Sequence, residues 1–373
     1  MGAMLDGTLT IEVGRTRAAA FAGRLLADAG GDVVAVQDEA RRAELPRAAR
    51  LYLDAGKDVI TRKTGSDAIL LRELLPYASV FVTDLPPGEL ERRGLDWPTL
   101  HRRAPRLCYV RLSAVGWDDG DRTGAAGEMS MQALSGLMYM VGDPRREPLS
   151  LPYGIGATQL GLHGAAAAAA ALNAVAESGE GRLIEIAGTN VLASYVRIYG
   201  AVAAYYGIPL RREGRRAPGS GGRFPFGLFP CKDGYVAMIC RSAREWDSLL
   251  AMMGNPEWSR QERYQDLYAI AIEYPDEVDE LISPWLLGRT RDELQRLAQE
   301  YAVPVAPVRA VEEVLDDAQL RRHRDFFDHL ITSSGEALRI PGRPWASGSR
   351  VFREHQAGLV DALTVAAPES AHD

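Results

Sequence analysis

Short β-branched runs alternate with helix-patterned segments through the first third of the chain. Apolar runs typical of buried strands occur at residues 8–13, 32–37, 58–61, 79–84 and 107–113. Helical spacing is found between them at residues 18–31, 66–78 and 95–104, and a turn is predicted at residues 85–88. Strands that alternate with helices favour a parallel sheet with helices on both faces, so the pattern predicts an α/β fold.

The middle of the chain is patterned as helix. A helical region is predicted from about residue 128 to residue 206, interrupted by a strand at residues 182–187. It ends at residues 210–227, a segment rich in Arg, Gly and Pro. This composition disfavours regular structure, so we predict a linker combined with a functional loop.

A smaller α+β unit is predicted beyond this linker. Its strand is predicted at residues 234–240, and its helices at residues 242–254 and 291–301. The chain is therefore predicted to form a large domain over residues 1–212, to which residues 311–373 return, and a small domain over residues 217–310.

Composition disfavours several classes of function. The chain has 373 residues and a net charge of −7, which disfavours nucleic acids and membrane surfaces, so an anionic ligand needs a local basic site. The three cysteines form no CxxC pair, which predicts reduced thiols in a cytoplasmic protein. Six scattered histidines lack ligand spacing, so no metal is predicted. An apolar signal core is missing, and the longest apolar run is an alanine tract that we expect to be too weakly hydrophobic to span a bilayer.

Residues 153–172 carry very little side-chain volume. Four glycines are followed by seven alanines, the glycines being Gly154, Gly156, Gly161 and Gly164. Alanine is the best helix former, and small side chains let a neighbouring backbone come close, so this segment predicts a tightly packed core helix. Open N–H groups at the start of such a helix favour an anion or a developing oxyanion, which makes the start a candidate site.

The order of motifs along the chain resembles the class III CoA-transferase superfamily, which includes formyl-CoA transferase, carnitine CoA-transferase and α-methylacyl-CoA racemase. The motifs that carry the resemblance lie at residues 25–36, 52–61, 85–116, 132–143, 161–172, 229–238 and 303–308. The resemblance implies a Rossmann-like large domain, a smaller domain and an interlocked homodimer. It also implies that coenzyme A binds as the substrate thioester.

The resemblance places the catalytic carboxylate of the transferases four residues before Gly161. That carboxylate attacks the acyl-CoA, and a mixed anhydride and an enzyme–CoA thioester follow. Here the position is Ala157. A methyl group cannot act as a nucleophile, so Ala157 marks the position of the lost nucleophile.

Other candidate catalytic residues lie near this position in the sequence. Gly127 stands where the resemblance implies a histidine or a tyrosine. His163 is the nearest titratable side chain on the same helix, although a lone helical histidine is more often structural. Glu128 is the nearest predicted carboxylate and a candidate to replace the missing one.

The resemblance also implies a set of CoA contacts. Lys57 and Arg92 match basic residues that contact the CoA phosphates or adenine, whereas without the resemblance both would be interpreted as surface charges. The glycine-rich loop at residues 219–222 resembles a mobile loop that covers the catalytic residue in this superfamily. It is either a lid over the site or a flexible linker. The remaining predicted contacts are Arg17, Ala18, Asp84, Leu85, Gly221 and Gly222.

Three hypotheses about function follow. The first is an enzyme of CoA-transferase family III that acts on an acyl-CoA and has diverged from acyl-anhydride transfer, with dehydration, isomerisation or cyclisation of the acyl group as the runner-up chemistry. The second is a non-catalytic CoA-ester binding protein or partner subunit. The third is a CoA-transferase that carries an engineered Asp-to-Ala change at Ala157.

Overall fold

The structure is a computed structural model that describes residues 3–38, 45–62, 73–117, 125–217, 222–323, 326–331, 335 and 337–345. The chain forms two compact units. The first comprises residues 1–137, 150–196 and 319–373, and the second comprises residues 138–149 and 197–318. This division follows the compactness of the chain, and the domain boundaries at residues 212 and 217 stay a prediction.

The first unit contains a six-stranded sheet in the order β3-β2-β1-β4-β5-β6. Every neighbouring pair of strands is parallel, which confirms the predicted parallel sheet. The strand order reverses between β1 and β4, and in sheets of this kind ligands bind at the carboxyl ends of the strands beside that reversal. The strands are β1 (Leu9–Val13), β2 (Asp32–Asp38), β3 (Asp58–Arg62), β4 (Val80–Thr83), β5 (Cys108–Ser113) and β6 (Arg182–Ala187).

Helices of the first unit connect these strands. They are α1 (Arg17–Asp28), α2 (Arg47–Asp54), α3 (Pro87–Arg93), α4 (Trp97–Arg103), α5 (Glu128–Leu134), α6 (Ile155–Ser178) and α7 (Gly188–Tyr195). Helix α3 starts inside the segment predicted as a turn, because Pro87 is tolerated in the first turn of a helix. Most of the helix predicted at residues 66–78 lies outside the described residues, and Leu75–Tyr77 form a 3₁₀ turn.

The two faces of the sheet bury alternate residues of each strand. Val80 and Val82 pack on the face covered by α1 and α6. Ile11 and Phe81 pack on the opposite face, with Tyr109. This period of two follows from the strand geometry, and it explains why the central strands β1, β2, β4 and β5 are buried along most of their length.

Helices α1 and α6 approach each other through residues with little or no side chain. A Cβ atom at Gly161 would lie 2.5 Å from the carbonyl oxygen of Ala18, and one at Gly164 would lie 3.0 Å from Leu112 Cδ2. Ala165 and Ala168 are buried in one core cluster with Ala18 and Ala22 of α1. This is the close packing that the glycine and alanine run predicts. By length and composition alone, α6 is apolar enough to cross a membrane, a test that the core helix of a soluble protein also passes.

The second unit contains an antiparallel sheet in the order β7-β8-β9. Its elements are α8 (Arg197–Tyr206), β7 (Phe226–Cys231), β8 (Gly234–Ile239), α9 (Ala243–Met252), α10 (Leu267–Glu273), α11 (Pro275–Leu287), α12 (Arg291–Tyr301), β9 (Val305–Pro307) and α13 (Val311–Val314). The predicted smaller α+β unit is confirmed. Its core packs Trp246 and Ile282 against the sheet residues Val236 and Met238. Strand β7 begins inside the predicted linker, which is therefore shorter than predicted.

A hairpin of β10 (Phe327–Ile331) and β11 (Ala337–Pro341) belongs to the first unit. Buried Arg24 of α1 connects to it. The Arg24 Nε donates to Asp28 at 3.0 Å, and its Nη2 lies 3.7 Å from Asp328 Oδ2. The charged side chain of Arg24 therefore links the β10–β11 hairpin to helix α1.

A buried ion pair joins β1 to the start of β3. The Lys57 Nζ lies 2.6 Å from Glu12 Oε2 and donates to the Ala20 carbonyl oxygen at 2.6 Å. The side chains of Lys57 and Glu12 are 0% and 4% exposed. Burial raises the pKa of Glu12, and the Lys57 ammonium opposes that shift. Gly23 permits the pair, because a Cβ atom there would overlap the Glu12 carboxylate.

We expect Lys57→Met to lower the free energy of unfolding by about 3–5 kcal/mol, because it leaves the Glu12 carboxylate buried without its cation. The double variant Glu12→Leu/Lys57→Met should recover much of that loss. Urea unfolding measures both, with Lys232→Met, which removes an exposed lysine, as the control. A Lys57→Met variant as stable as wild type would contradict this role.

Candidate active site

The turn between β1 and α1 is held by an internal carboxylate. Asp84 follows β4 directly, and its oxygens accept hydrogen bonds from Arg15 N at 2.6 Å, Thr16 N at 2.9 Å and Thr16 Oγ1 at 2.5 Å. In a Rossmann fold this turn receives the pyrophosphate of a dinucleotide. The Asp84 carboxylate fills that position with negative charge, so a ligand phosphate has to bind beside the turn.

Burial raises the pKa of Asp84 to about 6, while the hydrogen bonds from Thr16 act in the opposite direction. The residue is 8% exposed. The group that holds the α1 turn therefore titrates near neutral pH.

Several predicted CoA contacts meet at this edge of the sheet. Arg17 opens α1 and donates from Nη1 to the Tyr153 carbonyl oxygen at 2.7 Å. Ala18 and Leu85 are buried at the start of α1 and after β4. Arg92 is exposed on α3. An ion pair between Arg15 and Glu89 ties α3 to the α1 turn.

Lys57 lies elsewhere, in the buried pair with Glu12. Its ammonium group has no exposed surface and binds two internal oxygens. We therefore no longer propose Lys57 as a CoA contact. A pattern match gives the residue type, but it does not show whether the side chain reaches the surface.

The start of α6 holds a carboxylate that comes from α5. The N-cap residue Gly154 has φ +72° and no side chain to cap the helix. Glu128 takes this role: its Oε1 accepts from Gly156 N at 2.7 Å and its Oε2 accepts from Ala157 N at 2.8 Å. A carboxylate at a helix N-terminus satisfies free N–H groups and interacts favourably with the helix dipole. A Cβ atom at Gly156 would lie 2.8 Å from Glu128 Oε1, so glycine is needed there.

Gln132, one turn further along α5, fixes the Glu128 carboxylate. It is fully buried and donates from Nε2 to Glu128 Oε1 at 2.6 Å and to the Leu151 carbonyl oxygen at 3.2 Å. Its own oxygen accepts from Leu151 N at 2.8 Å. Gln132 is not among the residues predicted for the site, although its i, i+4 spacing from Glu128 is the signal that would have found it.

Ala157 and His163 do not face the same surroundings. The Ala157 side chain packs against the core under α6. His163 lies six residues further on, about 9 Å along the helix axis and about 120° around it. Its Nδ1 lies 2.9 Å from the Gln159 carbonyl oxygen, and its ring packs edge-on against Tyr195 at 6.1 Å. The structure therefore does not bring His163 to the position of residue 157.

The remaining predicted positions are distributed as follows. Gly127 is the N-cap residue of α5. Gly222 belongs to the second unit with φ +77°, and Gly221 lies outside the described residues. The role of this loop as a lid stays a prediction. Within the described ranges, no group of three or more His, Cys, Asp or Glu side chains is placed to hold a metal ion.

The family model for CoA-transferase family III matches residues 5–356. The chain belongs to this family.

Curated relatives agree with this assignment, and a solved structure shares the fold. Succinyl-CoA–D-citramalate CoA-transferase of Chloroflexus aurantiacus is 27% identical over 329 residues, which is 84% of this chain and 80% of that protein. The succinyl-CoA–L-malate CoA-transferase alpha subunit of the same organism is 27% identical over 341 residues, covering 86% and 78% of the two chains. A CaiB/BaiF family protein from Brucella suis has the same fold, with a TM-score of 0.79, 22% identity and coverage of 92% of this chain and 97% of that chain.

We expect the contribution of Asp84 to stability to fall as pH rises. Its folded pKa of about 6 lies above the ordinary value of 3.8, so the folded state binds the proton more tightly. The stabilisation is complete below pH 3.8 and is lost as pH passes 6, by at most about 3 kcal/mol. Urea unfolding of wild type and Asp84→Asn at several pH values measures it. A wild-type advantage that grows from pH 4 to pH 7 would show that the hydrogen bonds outweigh burial.

Proposed function

We propose that this chain is an enzyme that acts on an acyl-CoA thioester at the edge of the sheet where α1 and α6 begin. One observation carries the proposal. The hydrogen bond from Arg17 Nη1 to the Tyr153 carbonyl oxygen, 2.7 Å long, joins the predicted CoA-binding edge to the start of α6. A CoA phosphate held at α1 and a thioester presented to α6 are therefore parts of one site.

CoA transfer from a thioester to a carboxylic acid is the reaction we favour. Relatives at 27% identity are named as transferases that use succinyl-CoA, which supports an acyl-CoA of a short dicarboxylic acid as the first substrate to test. Dehydration, isomerisation or cyclisation of the acyl group is the runner-up, since none of these needs a carboxylate on residue 157. Arg17 and Arg92 hold the anionic groups of CoA in an otherwise acidic protein, and the buried residues Ala18, Asp84 and Leu85 support this edge from beneath.

A non-catalytic CoA-ester binding protein or partner subunit is the second candidate. Two observations favour it: Ala157 carries no reactive group, and relatives are named as alpha and beta subunits of a CoA-transferase. Mass spectrometry of acyl-CoAs incubated with the full chain distinguishes the two, because a binding protein leaves them unchanged. If the natural sequence proves to have aspartate at position 157, the third hypothesis, an engineered change, holds instead.

Arg92→Ala should weaken binding of CoA esters about 10- to 100-fold, because a charge-assisted hydrogen bond to phosphate contributes roughly 1.5–3 kcal/mol. Arg92 is exposed, so the melting temperature should stay near that of wild type. Isothermal titration calorimetry with a CoA ester measures the affinity. Arg103→Ala, which removes an exposed arginine from α4, is the matched control. Equal affinity for both variants would remove Arg92 from the site.

We propose that the protein is a homodimer in the cytoplasm, in contact with neither nucleic acid nor membrane. Helix α8 supports the dimer, because none of its residues is buried although it is rich in apolar side chains. Ile198, Tyr205 and Tyr206 on it are 66%, 85% and 75% exposed. A helix without a buried face is stable only when another surface covers it. Three buried, unpaired cysteines agree with a reducing compartment.

Analytical ultracentrifugation should give the mass of a dimer at every dilution at which the protein stays folded, because interlocked chains separate only by unfolding. Replacing Ile198 by Glu should lower the yield of folded dimer, since it places a charge in the covered surface. Arg211→Glu, just beyond α8 and outside the proposed contact, is the control. A compact folded monomer of the wild-type chain would exclude the interlocked dimer.

A further inference from the structure

The two oxygens of the Glu128 carboxylate have different surroundings. Oε1 accepts two hydrogen bonds, from Gly156 N at 2.7 Å and from Gln132 Nε2 at 2.6 Å. Oε2 accepts one, from Ala157 N at 2.8 Å. The half-buried side chain therefore presents Oε2 as its less occupied oxygen, directly beside the backbone of residue 157.

We infer that Glu128 is the covalent nucleophile of CoA transfer in this chain. The inference rests on the proposed function, and it adds the residue that carries out the chemistry. Residue 157 supplies only its backbone N–H, and the Thr158 hydroxyl donates to the Gly154 carbonyl oxygen at 3.0 Å, so neither offers a free nucleophile. The carboxylate that these amides hold comes from Glu128.

The reaction proceeds in balanced steps. Glu128 Oε2 attacks the acyl carbon of R–CO–S–CoA, the C–S bond breaks, and CoA leaves as a thiolate. The thiolate attacks Glu128 Cδ, the bond from Cδ to the bridging oxygen breaks, and R–COO⁻ leaves the enzyme–CoA thioester behind. The acceptor R′–COO⁻ attacks Cδ and releases the thiolate, which then attacks the acyl carbon of the new anhydride. The products are R′–CO–S–CoA and the free carboxylate, with no net change of protons or electrons.

The two hydrogen-bond donors to Glu128 Oε1 are placed to stabilise the attacks on Glu128 Cδ. When the thiolate or the acceptor attacks that carbon, negative charge develops on Oε1. The Gly156 N–H and the Gln132 Nε2–H already point at this atom. Fixed donors aimed at a developing oxyanion lower the barrier because they need no reorganisation. Gln132 is a positioning residue in the free enzyme and an oxyanion donor in these steps.

A structural cap would have the same hydrogen bonds, so the test needs a covalent readout. The full chain is incubated with each acyl-CoA that calorimetry shows to bind, beginning with succinyl-CoA and without an acceptor acid. Borohydride then reduces any enzyme thioester or anhydride to an alcohol, and peptide mass spectrometry locates it. We expect residue 128 to lose one oxygen and gain two hydrogens.

Glu128→Gln should abolish the reduced form of residue 128 and lower turnover by at least about 1,000-fold, because CoA transfer without the nucleophile has no equivalent route. Glu177→Gln changes an exposed glutamate in the last turn of α6. This control should keep both the reduced form of residue 128 and the wild-type turnover. The double variant Glu128→Gln/Ala157→Asp should regain turnover, with the reduced residue now at position 157, because the resemblance places a catalytic carboxylate there.

The possible outcomes distinguish the role of Glu128 from the proposed function. Turnover by wild type without the reduced form of residue 128, or turnover by Glu128→Gln at the wild-type rate, overturns the role of Glu128 and leaves the proposed function intact. A wild-type chain that binds acyl-CoA without converting it and without the reduced form of residue 128 overturns the catalytic role in favour of the binding protein. Failure to bind any acyl-CoA overturns the proposed function itself.

Discussion

The close approach of α1 and α6 is the constraint on which the rest of the site depends. The backbone of Ala18 lies where a side chain at position 161 would have to be, so even one methyl group there would push the helices apart. Both helices start at the same edge of the sheet, and the Arg17–Tyr153 hydrogen bond spans their starting residues. Their separation therefore sets the distance between Arg17 at the start of α1 and the Glu128 carboxylate at the start of α6. The small residues of α6 therefore fix how closely the two helix starts approach each other.

A strand or helix is predictable where its own short stretch of sequence carries the full hydrophobic pattern. The five apolar runs of the first unit all became parallel strands, because a buried strand needs only a short β-branched segment. Helix α3 was missed because two adjacent prolines signal a turn, yet the second of them fits the first turn of a helix. Helices α10 and α11 were not predicted, although the apolar residues of α11 have helical spacing.

The site was predictable only in part, because its decisive contacts join residues far apart in the chain. The absence of a side-chain nucleophile at Ala157 is visible in the sequence. The meeting of Glu128 with the amides of α6 depends on how two helices pack, which no local pattern encodes. Lys57 shows the opposite error. Its family position suggested a ligand contact, but Glu12 on β1, two strands away in the sheet, pairs with its ammonium group inside the fold.

The first unit is assembled from three separate stretches of chain, and this has a consequence for the order of folding. Arg24 on α1 is made early, whereas Asp328, the second carboxylate near its guanidinium, follows only after the second unit has been synthesised. Residues 197–318 form most of the second unit without interruption, so that unit can complete its core during translation while the first still awaits its hairpin. Closing so long a loop is entropically costly and slow. The unit that begins first on the ribosome is therefore the one that finishes last.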